Sequence, residues 1–378
     1  MRVLAVMARD FRGYREARAT LGSGLTVIGG PNGAGKTNLL EALYFGCTGR
    51  SCRTSNEREL IRFGAAAARV VIDAEGEDGA HELSVGLAPG QPKLMRLDGA
   101  PVQRLLELEH RPLVGVFLPD RLELIKGPPG LRRVHIDQFI AALWPSRIVT
   151  RRAYAQALAQ RNALIGRIRS AQASSASLTS WDLQLARHGL ALMEDRRRAI
   201  AALSARFGSL SAALGLDGDP SLGYRPRSRA AEAAELAAEL AARTASDLQR
   251  GYTGHGPHRD EISILRQERE LRTYGSGVQQ RLALLALRLA ERDAIAAIRA
   301  SPPLMLLDDV MSELDEERRH ALMELLSESG QSVITTTEFE HVPGAREPGV
   351  MCLEVCTGYV QQDTSGMSAE SWTEASPA

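Results

Sequence analysis

Alternation of apolar and polar positions predicts a strand-rich N-terminal part. Residues 3–7 read as a first strand, Phe11-Arg12-Gly13-Tyr14 follows, and Leu25, Val27 and Ile28 lie on a second strand. Residues 69–74 and 82–87 are β-branched or alternating and flank a turn rich in Gly and Asp. The period changes near Leu105. Residues 114–118 are strand-like and stop at Pro119-Asp120, and from Arg132-Arg133 to about Leu214 the pattern is helical. Leu183, Ala186, Leu190, Met193 and Ile200 keep alternating three- and four-residue spacing, broken where Arg197 falls on the seam. With the face made by Tyr154, Leu158, Ile165 and Ile168, this predicts a short antiparallel helical arm closed by the polar loop 170–180. A helix rich in Ala and Glu is expected over residues 230–248, and a long apolar helix over 282–298. Leu304-Met305-Leu306-Leu307 reads as a buried strand ending in Asp308-Asp309, and residues 332–337 as another. The tail 363–378, rich in Ser, Glu and Thr, is expected to be disordered.

At 378 residues the chain exceeds one ordinary core, so two lobes are expected. Hydrophobic content of 44% and charge of 24% are those of a soluble globular protein. No apolar run approaches the roughly 20 residues that span a bilayer, and no secretory signal pattern opens the chain, so a cytoplasmic protein with no membrane partner is expected. Cys47, Cys52, Cys352 and Cys356 form no C-x-x-C pair, which argues against a zinc or redox motif. Cys352 and Cys356 share a strand-like segment, about 13 Å apart at roughly 3.3 Å per residue, too far to bridge while extended. Net charge is zero, yet residues 121–215 carry 15 Lys and Arg against 5 Asp and Glu, a net of +10. Such a segment predicts a face for nucleic acid.

The sharpest chemistry is Gly30-Pro31-Asn32-Gly33-Ala34-Gly35-Lys36-Thr37-Asn38. An apolar strand before it and a helical pattern after it are the setting that a phosphate-binding G-x-x-x-x-G-K-[ST] loop requires. Glycines let backbone N–H groups wrap a polyphosphate, and the helix N-terminus adds partial positive charge. Lys36 is placed to reach β- and γ-phosphates, and the Thr37 hydroxyl to ligate Mg²⁺. Downstream of such a loop, Asp308 and Asp309 at the end of an apolar strand sit where a P-loop sheet holds its Mg²⁺ partners. His255 and His258 share one turn-rich loop and are assigned no catalytic role.

Taken together, the motifs resemble the RecF family of recombination-mediator ATPases, related to SMC and ABC-type heads. The resemblance rests on Phe11-Arg12-x-Tyr14, Gly33-x-Gly35-Lys36-Thr37-Asn38-Leu39-Leu40-Glu41-Ala42, Gly49-Arg50-Ser51-x-Arg53-Thr54 and Pro119-Asp120-x-Leu122-x-Leu124-x-Lys126-Gly127. It rests equally on Gln160-Arg161-Asn162, Trp181-Asp182-x-Gln184-Leu185-Ala186, Gly256-Pro257-His258-Arg259-Asp260, Asp308-Asp309-Val310-x-Ser312-Glu313-Leu314-Asp315 and Ile334-Thr335-Thr336-Thr337. It implies an α/β fold: a P-loop ABC/SMC-like ATPase head with a second, mainly helical lobe that carries the arm. The head would be split between residues 1–105 and 300–362, with the helical lobe at 106–299. It implies ATP and Mg²⁺ as cofactors, with Asp308 holding Mg²⁺ through water and Asp309 where relatives carry a water-activating glutamate. Thr337 would take the place of the switch histidine of ABC ATPases, and Ser276 with Gln279 would meet the γ-phosphate bound by a second copy. The shorter Asp309 and the uncharged Thr337 imply slow, switch-like hydrolysis, weak and DNA-dependent. Val278 stands where the signature segment has glycine, which narrows the backbone and adds bulk.

The function implied is an ATP-gated homodimer that binds single-stranded, gapped or junction DNA. Its partners would be RecR, with RecO and RecA in the pathway. An SMC-like head of another DNA-repair or defence system is the alternative. A break-repair head with a zinc hook needs cysteines between Cys52 and Cys352, where there are none. A small-molecule P-loop kinase leaves the signature segment and arm unexplained, and a transporter ATPase lacks the arm and requires a membrane partner.

Overall fold

A computed structural model of the chain describes residues 1–108, 111–299, 301–328, 330–356 and 358–362. The expected disordered tail lies outside the described residues. The chain divides into two compact units, Met1–Asp120 with Arg299–Ala378, and Arg121–Ile298.

The first unit starts with β1 (Arg2–Phe11), β2 (Tyr14–Thr20), β3 (Leu25–Gly29) and the helix α1 (Lys36–Thr48). It continues with β4 (Ala68–Gly76), β5 (Gly79–Leu87), β6 (Leu94–Leu97), β7 (Ala100–Val102) and β8 (Val114–Phe117). Six of these strands form an antiparallel sheet in the order β2-β1-β4-β5-β6-β7. Its inner face alternates as a half-buried sheet should, with Val3, Val70, Ile72, Leu83 and Val85 inside. Helix α1 packs on that face, with Phe45 against Phe11, and on its other side contacts β8, so it is covered on more than one side, as a sequence apolar nearly all round requires.

In the second unit come α2 (Glu123–Lys126), α3 (Pro129–Leu143), α4 (Ile148–Arg169), α5 (Leu178–Ala213), β9 (Ser221–Arg225), α6 (Ala233–Ala241) and α7 (Thr244–Arg250). They are followed by β10 (Glu261–Arg266), β11 (Arg269–Glu270), α8 (Leu271–Tyr274) and α9 (Gly277–Arg299). The three strands form one small antiparallel sheet. Helices α4 and α5 pack side by side as the antiparallel arm, with Ile165 against Leu178 near its tip and Tyr154 and Ala157 near Leu185 and Ala186 further down. The expected seam on α5 is corrected at Leu183, which is exposed. Arg197, the expected break, is exposed too, and the buried row runs through Leu185, Ala186, Gly189, Leu192, Met193, Arg196, Ala199 and Ile200. An apolar pattern steps over Arg196, which is buried because Asp137 accepts from its Nε at 2.8 Å and its Nη2 at 3.0 Å. The expected single helix 230–248 is two, α6 and α7, and no Pro or Gly marks the break between them.

Burial leaves the net charge of the +10 segment as it was, because three arginines go inside together with three aspartates, Asp137, Asp182 and Asp195. Arg132, Arg161 and Arg196 lie inside the unit, so they do not belong to an outer face. Arg161 is fully buried, donating from Nε to Asp182 at 2.6 Å and from Nη1 to Asp247 at 2.6 Å and Thr253 at 2.8 Å. It thereby ties α4, α5 and α7 together.

His258 is also a packing residue. Its Nε2 lies 2.9 Å from the Thr253 carbonyl and can only donate there, which leaves Nδ1 to accept the Tyr154 hydroxyl at 2.7 Å. Burial depresses its pKa to about 4. A depressed histidine binds its proton more readily in the unfolded chain, so folding loses stability as pH falls from about 6.5 toward 4. Urea midpoints at pH 7 and pH 5 should therefore fall further in the wild type than in His258→Gln. Equal shifts in the two proteins would show that His258 is not the titrating group.

The chain then returns to the first unit with β12 (Leu304–Leu307), α10 (Glu316–Ser327), β13 (Ser332–Thr335), β14 (Met351–Cys356) and β15 (Tyr359–Gln362). A second sheet results, ordered β15-β14-β3-β13-β12-β8, parallel except for the edge strand β15. Its central strands are continuous apolar runs, as in a sheet covered on both faces. Residues 106–120, expected in the helical lobe, belong to the first unit, because β8 pairs with β12 from Leu304↔Val114 to Leu307↔Phe117. The order places β3 beside β13 and β13 beside β12, so three strand ends meet at one carboxyl edge.

Candidate functional site

At that edge β3 passes through Gly30 into α1. Gly30 has φ 145°, and a Cβ there would stand 2.3 Å from the Val355 carbonyl oxygen, so only glycine fits. Pro31, Asn32 and Gly33 are exposed, while Ala34 and Lys36 are buried. The first helical bond of α1 is Leu39 N–H to Gly35 O at 3.0 Å, which leaves the N–H groups of Lys36, Thr37 and Asn38 without helical acceptors. Such a turn can receive an anion.

The Lys36 ammonium folds over the loop, donating to Gly30 O at 2.7 Å and Pro31 O at 3.0 Å. Burial lowers its pKa, opposed by the carboxylates of Asp309 and Asp308. One residue on, the Thr37 hydroxyl lies 3.0 and 2.9 Å from the two carboxylate oxygens of Asp308. Asp308 follows β12, and burial raises its pKa while bonds from Thr335 and Thr37 oppose the rise. Asp309 takes a left-handed conformation, φ 43°, with its Oδ2 2.9 Å from the Ser312 hydroxyl. Thr337 lies two residues past the end of β13, half-buried, at the same edge. The structure thus brings Gly30 through Asn38 together with Asp308, Asp309 and Thr337 in the first unit.

Ser276 and Gln279 belong to the second unit, at the start of α9. They cap one another there, Ser276 N–H donating to Gln279 Oε1 at 2.9 Å and Gln279 N–H to Ser276 Oγ at 3.2 Å. Val278 is exposed and helical in its backbone, so valine brings bulk at this position but no backbone strain.

Four supporting residues escaped assignment to a role from sequence. The Tyr14 hydroxyl donates to Gly35 O at 3.0 Å and holds the loop from behind. Glu41, fully buried in α1, accepts from Arg12 Nε at 2.8 Å and Arg53 Nη1 at 3.2 Å; Arg53 also donates to Asn38 Oδ1 at 3.0 Å. A charged residue within the apolar run Leu39-Leu40-Glu41-Ala42-Leu43 was the available signal.

Among the described residues no group of three or more His, Cys, Asp or Glu is arranged to hold a metal. The Thr37 hydroxyl and Asp308 carboxylate are hard oxygen donors, the sparse set that suits Mg²⁺, whose remaining ligands are waters and phosphate oxygens. These residues fit that ion.

Residues 2–354 match the family model for the RecF/RecN/SMC N-terminal domain. The chain is 36% identical over 371 residues to a DNA replication and repair protein RecF of Myxococcus xanthus, covering 95% of this chain and 97% of that one. A RecF of Herpetosiphon aurantiacus is 35% identical over 363 residues, covering 90% of this chain and 94% of its own. Among solved structures, the recombination mediator protein RecF with ATP, of the RecFOR pathway, superposes with a TM-score of 0.83 at 26% identity over 96% of this chain and 97% of that one. An SMC head bound to the winged-helix domain of ScpA, TM-score 0.59 at 18% identity with 96% and 97% covered, shares the fold. With its phosphate-loop strand and acid-bearing strand in one parallel sheet, and with relatives of this kind along nearly its whole length, the chain belongs to the RecF family of ABC/SMC-type ATPase heads.

Proposed function

We propose that the chain is an ATP-dependent recombination mediator of DNA replication and repair, in which bound ATP and Mg²⁺ gate homodimerisation and DNA binding. The observation that carries this reading is the convergence of Lys36, Thr37 and Asp308 on one sheet edge, with Thr37 and Asp308 already in contact. Gly30, Pro31, Asn32, Gly33, Ala34, Gly35 and Asn38 shape the phosphate cradle, and Lys36 leaves the Gly30 and Pro31 carbonyls for the β- and γ-phosphates. Thr37 would offer its oxygen to the cation, and Asp308 would hold the cation through water. Mg²⁺ would neutralise charge on the phosphate oxygens. Asp309 orients the attacking water, Thr337 hydrogen-bonds the γ-phosphate, and Ser276 and Gln279 meet the nucleotide of a second copy. The short Asp309 side chain and the uncharged Thr337 make hydrolysis slow, a timer on the dimer.

DNA is assigned to the arm. Helix α4 contains no Asp or Glu, and Arg151, Arg152, Arg167 and Arg169 stand on its exposed side, as phosphate contacts require. RecR, RecO and RecA are the partners that family membership suggests, with RecA loading on gapped DNA as the outcome.

The test is binding to a gapped duplex at one fixed salt concentration, with ATP, ADP or no nucleotide, for wild type and Lys36→Ala. Salt is held constant because phosphate contacts make affinity strongly salt-dependent. ATP should tighten binding in the wild type only. Binding equal under all conditions would uncouple DNA from the nucleotide, and no binding would remove the DNA reading.

A further inference from the structure

We infer that Thr335 is a positioning residue of the nucleotide site, its one hydroxyl orienting the Asp308 carboxylate and the Asp309 backbone together. The inference rests on the reading that the loop 30–38 and Asp308 take a nucleotide with Mg²⁺. Thr335 ends β13, opposite Ile28 of the strand that feeds the loop, and it is fully buried.

The direction of each bond follows from the donors present. Asp309 N–H donates to Thr335 Oγ1 at 2.8 Å, so the hydroxyl hydrogen points the other way, to Asp308 Oδ1 at 2.7 Å. Both contacts use one oxygen, which fixes the spacing between the side chain of the first acid and the main chain of the second.

Thr37 also reaches Asp308, but its hydroxyl has a single hydrogen shared over 3.0 and 2.9 Å. A cation would take a lone pair of the Thr37 oxygen, and the single hydrogen would still serve one carboxylate oxygen, of which Oδ2 at 2.9 Å is the nearer. Thr335 is then the donor held on Oδ1, and Oδ2 would be shared by Thr37 and a cation-bound water. Asp309 sits at φ 43°, a conformation unfavourable for a non-glycine residue, and the bond from its N–H to Thr335 helps to hold it there. If this hydroxyl were removed, the Asp309 N–H would lose its acceptor and the Asp308 carboxylate one of its two threonine donors.

A purely structural threonine would alter folding, or nucleotide affinity under all conditions alike. A positioning role alters the response to Mg²⁺ alone. Binding of a fluorescent ATP analogue is therefore measured for the full chain in EDTA and across a Mg²⁺ titration, in wild type, Thr335→Val and Thr335→Ser, with folding checked by circular dichroism. Thr335→Val keeps the shape and removes the hydroxyl. The half-saturating Mg²⁺ concentration should rise at least about tenfold, the usual effect of losing an outer partner of a metal ligand. Affinity in EDTA should be unchanged, and Thr335→Ser should respond as wild type.

A Thr335→Val titration that overlays the wild type overturns the inference, as does an equal loss of affinity in EDTA. A wild type indifferent to Mg²⁺ overturns it as well, and in that case the Mg²⁺ reading of the site falls with it. Should Thr335→Val not fold, Thr335→Cys, similar in size and a weak donor, gives the same comparison.

Discussion

Arg161→Met should destabilise the second unit by about 3–5 kcal/mol, the usual cost of removing one partner from a buried ion pair. Asp182 and Asp247 would each lose a 2.6 Å charged partner inside the arm, where neither is exposed to water. Methionine fills much of the arginine stem's volume, so the loss is electrostatic more than a matter of packing. Urea unfolding followed by circular dichroism measures it, with Arg167→Ala as the surface control expected to stay within about 0.5 kcal/mol. Adding Asp182→Asn and Asp247→Asn to Arg161→Met should recover part of the loss, because the uncompensated carboxylates are then gone. A change below about 1 kcal/mol in Arg161→Met alone would mean that the network does not hold the arm.

Lys36→Ala should weaken ATP binding about 100-fold or more. On the proposed reading, two charge-assisted hydrogen bonds to phosphate oxygens, at roughly 1.5–3 kcal/mol each, would be lost together. The fold should survive, since the Gly30 and Pro31 carbonyls that accept from Lys36 lie beside the exposed stretch Pro31 to Gly33, where water can replace the ammonium. Titration of a fluorescent ATP analogue checks the affinity and circular dichroism the fold. An affinity within about threefold of wild type would show that Lys36 does not touch the phosphates.

The motifs that carry the family resemblance divide into two kinds in the structure. Gly30 through Asn38, with Asp308 and Asp309, line the sheet edge; Arg161, Asp182, His258 and Asp260 hold the second unit together. Spacing alone does not separate them, because an arginine in a helix reads as surface until its acids are placed around it. The same holds for the buried row of α5, which takes in Arg196 only because Asp137 lies against it, while Arg197 beside it faces outward.

Most of the local pieces are legible in the chain: the strand, turn and helix around Lys36, the apolar strand ending in Asp308-Asp309, and the two arm helices with their short connection. Those follow from period, glycine position and residue type, which act over a few residues. That β3, β13 and β12 lie side by side and that β8 joins them is visible only in the folded chain. So is the placing of the Tyr14 hydroxyl behind Gly35 and of the Thr335 hydroxyl between two acids. Pairings across some 270 residues, such as Thr37 with Asp308, depend on which strands share a sheet and on which buried polar groups must find one another. Neither condition leaves a periodic trace in the chain.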